Sequence, residues 1–249
     1  MDLKPTQYKF TVNDTLRIID LGYKIKFSGS LPLFEDFVAQ EFPNFDIYSL
    51  LSELEKSFTP TTNLTITREI SYCYEPPALQ ISYINNFATD DEALVFDRKF
   101  LRLQTGIIVD HNMCVLPLQY QGKGLLKKVF QISLQQYINM GAKTIHVYAG
   151  LNGGGHVWAR HGFVAVNKEE VKVILDDAKM HLSKVEYVPV ERIFSTYYSK
   201  SPLGKDFPMR LWAMLDTMKP ILRGARWHGV VNLDNSIQLR NFTDYVFRD

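Results

Sequence analysis

The residues of this chain best suited to chemistry lie in one short run, Tyr120-Gln121-Gly122-Lys123-Gly124-Leu125-Leu126. A strand-like segment leads into it and a helical apolar stripe follows, so two glycines stand at a strand-to-helix corner. Glycine lets the backbone curl tightly there, and the first turn of a helix has amides with no internal acceptor. Those amides and the positive end of the helix dipole suit a diphosphate. Each charge-assisted contact of that kind contributes about 1.5–3 kcal/mol. The same corner equally suits a tight β–α turn that binds nothing. It is not a Walker loop, since Gly-x-x-x-x-Gly-Lys-Ser/Thr is missing, nor a dinucleotide fingerprint, since the third glycine is absent.

Proton-transfer groups flank the corner. Asp110 and His111 are neighbours on the strand before it, and neighbours on a strand point to opposite faces, so at most one faces a substrate. His146 and Tyr148 share a face of the next strand. Each of these four also reads as a polar strand-end residue or a satisfied core group. The run Gly153-Gly154-Gly155-His156 either lets backbone approach a ligand or forms a flexible loop. Trp158 and the Trp227-His228-Gly229 segment read as packing, the second having no metal partner at ligand spacing.

The elements that must position these groups follow from period and punctuation. Residues 8–28 alternate loosely and read as one or two strands. Residues 34–58 read as helix in two pieces broken at Pro43. Strands are expected at 64–74, 79–84, 93–103 and 106–116, with Glu75-Pro76-Pro77 as a stop. A helix runs from Leu126 to Met140, closed by Gly141, a common C-terminal cap. A strand at 144–149, a short helix at 155–161 and a strand at 163–166 complete a β–α–β–α–β order, which favours parallel pairing through a right-handed crossover. Helices are expected at 169–182 and 209–221, with 201–204 as a linker. A strand and turn at 227–234 then precede 236–247.

Composition excludes several classes. The chain has 249 residues, 46% hydrophobic and 22% charged, which fits an ordinary folded protein with a substantial core. A formal net charge of +1 provides no general attraction to nucleic acid or to an anionic membrane. No signal-peptide layout opens the chain, and no run of about 18 apolar residues could span a bilayer. Cys73 and Cys114 are far apart and without ligand spacing, so they read as two reduced, buried thiols in the cytoplasm.

The glycine run resembles the diphosphate-binding turn of the GNAT acetyltransferase superfamily, Arg/Gln-x-x-Gly-x-Gly/Ala. Residues 109–116 with Pro117 resemble the family's fourth strand. The following helix, Gly141, the strand at 144–148, Asn152 and a short helix into Gly162-Phe163 keep a similar spacing. Trp158-Ala-Arg-His-Gly-Phe163 is similar to the family's Tyr-x-x-x-Gly-Phe, and the resemblance covers residues 93–166. There are departures. Leu126 takes the last small position of the turn, although a frame starting at Gln119 restores the pattern. One extra residue separates Pro117 from the turn, and Asn152 sits one place nearer Gly162. Trp158 replaces a tyrosine that protonates the leaving thiolate, and an indole offers no comparable acid. The segment after Asn167 does not look like the family's closing strand pair.

The resemblance implies a mixed α/β fold: a GNAT-like twisted, partly parallel central sheet flanked by helices, with an additional helical C-terminal segment. It implies three regions, with 1–60 packed on the core, 61–167 the acyl-CoA-binding core and 168–249 a mainly helical extension. It implies acetyl-CoA or another acyl-CoA as co-substrate and no metal. Backbone groups at Cys114, Val115 and Leu116 would hold the pantetheine arm and polarise the thioester carbonyl. Gln121, Gly122, Lys123, Gly124, Leu125 and Leu126 would hold the diphosphate, and Asn152 would touch the arm. A lysine-like amine, with pKa near 10.4, must lose a proton before it attacks the thioester. Asp110 is the candidate base and Tyr148 the candidate acid. The expected activity is N-acyl transfer to an amine of a small molecule, peptide or protein, with no nucleic acid or membrane partner. One alternative is a catalytically silent GNAT-like module that binds CoA, a protein partner or a second copy of itself. Another is an unrelated β–α–β protein holding a nucleotide phosphate at the turn.

Overall fold

The chain opens with a helix where loose alternation suggested strand. In the computed structural model, which describes residues 3–27, 33–58, 65–86, 89–151 and 153–247, α1 covers Val12–Asp20 and only β1, Lys24–Phe27, is extended. The cause is local. The Asp14 carboxylate accepts from the Thr11 backbone N–H at 2.9 Å and from its hydroxyl at 2.8 Å, tying off the first turn. Ile18 is buried while Val12, Leu16 and Ile19 face outward, so the apolar residues of α1 do not mark a core-facing stripe.

The structure divides into two units, Met1–Lys143 and Thr144–Asp249. In the first, α2 (Phe34–Glu41) and α3 (Ile47–Phe58) are separated at Pro43, as the sequence predicts. The strands β2 (Ile66–Tyr74), β3 (Pro77–Asn85), β4 (Val95–Leu103) and β5 (Gly106–Val115) form an antiparallel meander, with β1 parallel to β2 at its edge. Helix α4 (Leu125–Asn139) packs with α3. Phe45, Phe100 and Tyr137 are fully buried, with ring centroids 4.8 and 6.0 Å apart in sequence of contact. Burial of such a side chain stabilises the fold by about 1.5–3 kcal/mol.

The register of β4 on β5 slips once. Asp97 pairs with Met113 but Lys99 pairs with Asp110, so His111 and Asn112 together oppose Arg98. An extra residue of this kind bends its strand and sharpens the local twist. Here it does so just before the residues that lead into α4.

The second unit holds most of β6 (Ala142–Tyr148), then α5 (Gly154–Arg160) and β7 (Val164–Ala165). Helices α6 (Lys168–His181), α7 (Lys184–Lys200), α8 (Met209–Ala213) and α9 (Met218–Gly224) follow. Strand β8 (His228–Asn232) and helix α10 (Ser236–Phe247) close the chain. The helix expected at 209–221 is two helices with a break at 214–217. Helix α7 was not anticipated, because only Val190 and Tyr198 are buried along it and no apolar stripe marks it.

The strand expected at 227–234 is β8. Strand β8 lies between β6 and β7 and is antiparallel to both, with Tyr148 opposite His228 and Val164 opposite Val230. Strands β7 and β8 thus pair although four helices separate them in the chain. The mixed α/β class stands in both units. Among the described residues no helix is long and apolar enough to cross a membrane.

Candidate functional site

Strand β5 ends at Val115, and a short 3-10 turn at Leu118–Tyr120 carries the chain to the glycine corner. Gly122 (φ +74°) and Gly124 (φ +75°) are both left-handed, and Gly124 is the residue that starts α4. Nothing lies within 4 Å of where a Cβ would stand on either. The requirement for glycine is therefore conformational and not one of space. Residues 121–124 are exposed. Among the described residues the backbone amides of Gly122 to Leu126 meet no acceptor, and the first turn-closing bond is Lys127 N–H to the Gly124 carbonyl at 3.0 Å. These amides stand at the start of α4, where the aligned peptide dipoles leave partial positive charge.

The side chains of the corner divide. The Gln121 carboxamide donates to the Leu116 carbonyl at 3.0 Å, so it ties the corner back to the end of β5. The Lys123 ammonium lies 5.7 Å from the centre of the Tyr120 ring. Leu125 and Leu126 are half-buried at the base of α4. Gln119 is exposed in the 3-10 turn.

Beneath the corner the bend in β5 is held by Arg98, which is fully buried. One of its terminal nitrogens donates to the Asp97 carbonyl at 2.8 Å and to the Met113 carbonyl at 2.9 Å. Its guanidinium lies 4.2 Å from the centre of the Phe96 ring. Among the described residues its other two nitrogens have no hydrogen-bond acceptor. Cys114 and Val115 are half-buried and Leu116 is buried. Burial pushes the Cys114 thiol up, against the pull of Arg98.

The neighbours Asp110 and His111 are separated as expected. His111 turns into the core: its Nε2 is 3.0 Å from the Tyr137 hydroxyl and its ring stacks on Phe130. Asp110 is half-buried and lies across from Lys99, on the face that carries Asp97. The Asp97 carboxylate accepts from Gln80, Ser82 and Asn112 at 2.6–3.0 Å, a set that occupies it fully.

In the second unit, Tyr148 and His146 share the outward face of β6, and His146 Nε2 is 3.0 Å from the Thr144 hydroxyl. Asn152 lies outside the described residues. Of the glycines beside it, Gly155 has a packing role: a Cβ there would stand 2.2 Å from the Leu222 carbonyl and 2.7 Å from that of Ala225. Gly153 (φ +83°) starts α5 and its N–H donates to the Arg223 carbonyl at 2.9 Å. His156 is held below the usual imidazole range, by burial first and then by Arg160, Lys219 and Arg223. Trp158 packs edge-on to Phe163 at 5.1 Å, and Trp227 is fully buried.

One arrangement here escaped sequence reasoning. Glu170, near the start of α6, accepts from the His228 backbone N–H at 2.8 Å and from its ring Nδ1 at 2.7 Å. The His228 ring lies against Tyr148, its partner across β6 and β8, with centroids 4.7 Å apart. Glu170 and His228 are 58 residues apart, so no local spacing announces the pair. Among the described residues no group of three or more His, Cys, Asp or Glu is placed to hold a metal ion. Comparison with protein-family models, curated proteins and solved structures gives no match for this chain.

Proposed function

We propose that this chain is an acyl-CoA-dependent N-acyltransferase of GNAT type, which moves an acetyl or other acyl group from CoA to an amine. The observation that carries the reading is the corner at Gly122–Leu126: two left-handed glycines, five backbone amides without an acceptor and the start of a 15-residue helix. A diphosphate carries several acceptor oxygens and is the complement of such a corner. The bend at His111-Asn112 and the antiparallel pairing of β7 with β8 lend further support. In this reading Gly122, Lys123, Gly124, Leu125 and Leu126 grip the diphosphate, while Gln121 fixes the corner to Leu116. Backbone at Cys114, Val115 and Leu116 serves the pantetheine arm. The two free thiols suit a reducing, cytoplasmic setting.

A second reading, a silent module that binds CoA without turnover, is favoured by Trp158 in place of a tyrosine and by its packing on Phe163. Two measurements separate the readings. Calorimetric titration with acetyl-CoA reads binding, and thiol release in the presence of an amine panel reads turnover. Binding with thiol release supports the enzyme, binding alone supports the module, and no binding removes both.

A further inference from the structure

A groove of about 180 Å³ lies wholly within the second unit, bordered by β7, the first residues of α8 and the start of α10. That is less than the roughly 300–1,000 Å³ of sites that enclose a whole small molecule, so it suits the end of a ligand. Gly162 (φ +89°) lets α10 come close here, since a Cβ on it would stand 2.9 Å from that of Asn241.

Four lining residues carry polar side chains: Arg210, Asn235, Gln238 and Asn241. Their orientations are set by partners that can only donate. Asn235 Oδ1 accepts from the backbone N–H groups of Ile237 and Gln238 at 3.0 and 3.2 Å. Gln238 Oε1 accepts from the Asn232 backbone N–H at 2.7 Å. Asn241 Oδ1 accepts from one terminal nitrogen of Arg210. In each carboxamide the oxygen is therefore the committed end and the NH2 group is the end left over. Among the described residues these three NH2 groups make no hydrogen bond, and Arg210 meets no carboxylate. No acidic side chain lines the groove, and Phe163, Val164, Pro208 and Ile237 give it an apolar wall. Three fixed amide donors and a guanidinium are the complement of an acceptor-only anion, and a carboxylate has two such oxygens.

We propose that this groove binds a carboxylate that ends a short apolar group. Arg210 and the three carboxamides donate to its oxygens, and the apolar wall lies against the rest. The site is separate from the glycine corner and stands whether or not the corner holds a coenzyme.

The test is NMR titration, read at the side-chain NH2 signals of Asn235, Gln238 and Asn241. The probes are isovalerate, its neutral isostere isovaleramide, inorganic phosphate, and a short leucine-ended peptide with a free or an amidated C-terminus. Isovalerate should shift all three signals and saturate with a Kd of about 1–10 mM, and isovaleramide should bind at least about tenfold more weakly. Gln238→Glu and Asn241→Asp keep the accepting oxygen but replace the free donor with a charged acceptor. Both should stay near parent stability in urea and lose isovalerate affinity by about tenfold or more. A free-acid peptide that binds more tightly than isovalerate identifies a chain end as the natural source, and the reverse order identifies a free acid. Absence of saturable binding by isovalerate and by both peptides overturns the proposal. Equal affinity for isovalerate and isovaleramide, a comparison that needs no variant, also overturns it, as does undiminished affinity in either folded variant. Phosphate binding as tight as isovalerate overturns the role of the apolar wall.

Discussion

Gly124→Glu places a carboxylate where the diphosphate is proposed to sit, and its two effects can be worked separately. Gly124 has φ +75°, and no atom lies within 4 Å of the added Cβ. The cost to folding is therefore backbone strain alone, about 1–2 kcal/mol for an L residue in this region. A negative charge at the start of α4 offsets about 0.3–1 kcal/mol of that. A net loss near 1 kcal/mol lowers Tm by about 2–4 °C in a chain of this size. Binding suffers more. A carboxylate about 5 Å from one phosphate charge, at an effective dielectric near 20, opposes it by about 3 kcal/mol, which is roughly 10²-fold in Kd. Gly141 supplies a matched control. It has φ +71° and equally open surroundings, but it closes the other end of α4. Gly141→Ala should therefore show similar strain with unchanged affinity. Calorimetry with CoA reads the difference. Equal affinity in Gly124→Glu and the parent, or equal weakening in both variants, would refute the role of the corner.

Three further outcomes follow from the packing. Arg98→Met removes the bond donated to Met113 in β5 and the one to Asp97 in β4, each charge-assisted and worth about 1.5–3 kcal/mol, and removes a buried charge that offsets part of the loss. Urea unfolding should show a clear loss of stability, and parent-like stability would mean that Arg98 does not hold the bend. Gly155→Ala drives a Cβ into the Leu222 and Ala225 carbonyls and should destabilise by about 1–3 kcal/mol. Gly154→Ala, whose nearest neighbour is 3.8 Å away, should be close to neutral, and denaturant midpoints compare the two. Burial pushes the Asp14 carboxyl up, but hydrogen bonds from Tyr8 and Thr11 and the charge of Arg17 outweigh it and hold the group below its usual range. Because the folded value is depressed, its contribution is full above the ordinary carboxyl range and is lost as pH falls through the folded value. Asp14→Asn should flatten the acid limb of the stability profile, and an unchanged limb would contradict this.

Much of the first unit was legible because its signals are local. The alternation of β5, the helical period of α4 and the glycine at its end each lie within one short stretch of chain, and the corner between them could be read from Gly122 and Gly124 alone. Residues 12–20 were misread because the apolar positions of α1 mix Ile18, buried, with Leu16 and Ile19, exposed; the pair Thr11 and Asp14 was the usable signal. What depends on distant pairing was not legible. Nothing near residues 228–232 shows that they return between β6 and β7. The Glu170–His228 contact exists only once that return is made. The same holds for Gly155, whose reason is the backbone of Leu222 and Ala225. Helix α7 was silent because it contributes little to any core.

Amide chemical-shift mapping reads the proposed grip on the diphosphate residue by residue. On addition of CoA, the largest displacements should fall on the backbone N–H groups of Gly122, Lys123, Gly124, Leu125 and Leu126, and pantetheine, which lacks the diphosphate, should leave these five nearly unmoved. Displacements centred elsewhere, or none at saturating CoA, would contradict the assignment of this corner and the acyltransferase built upon it.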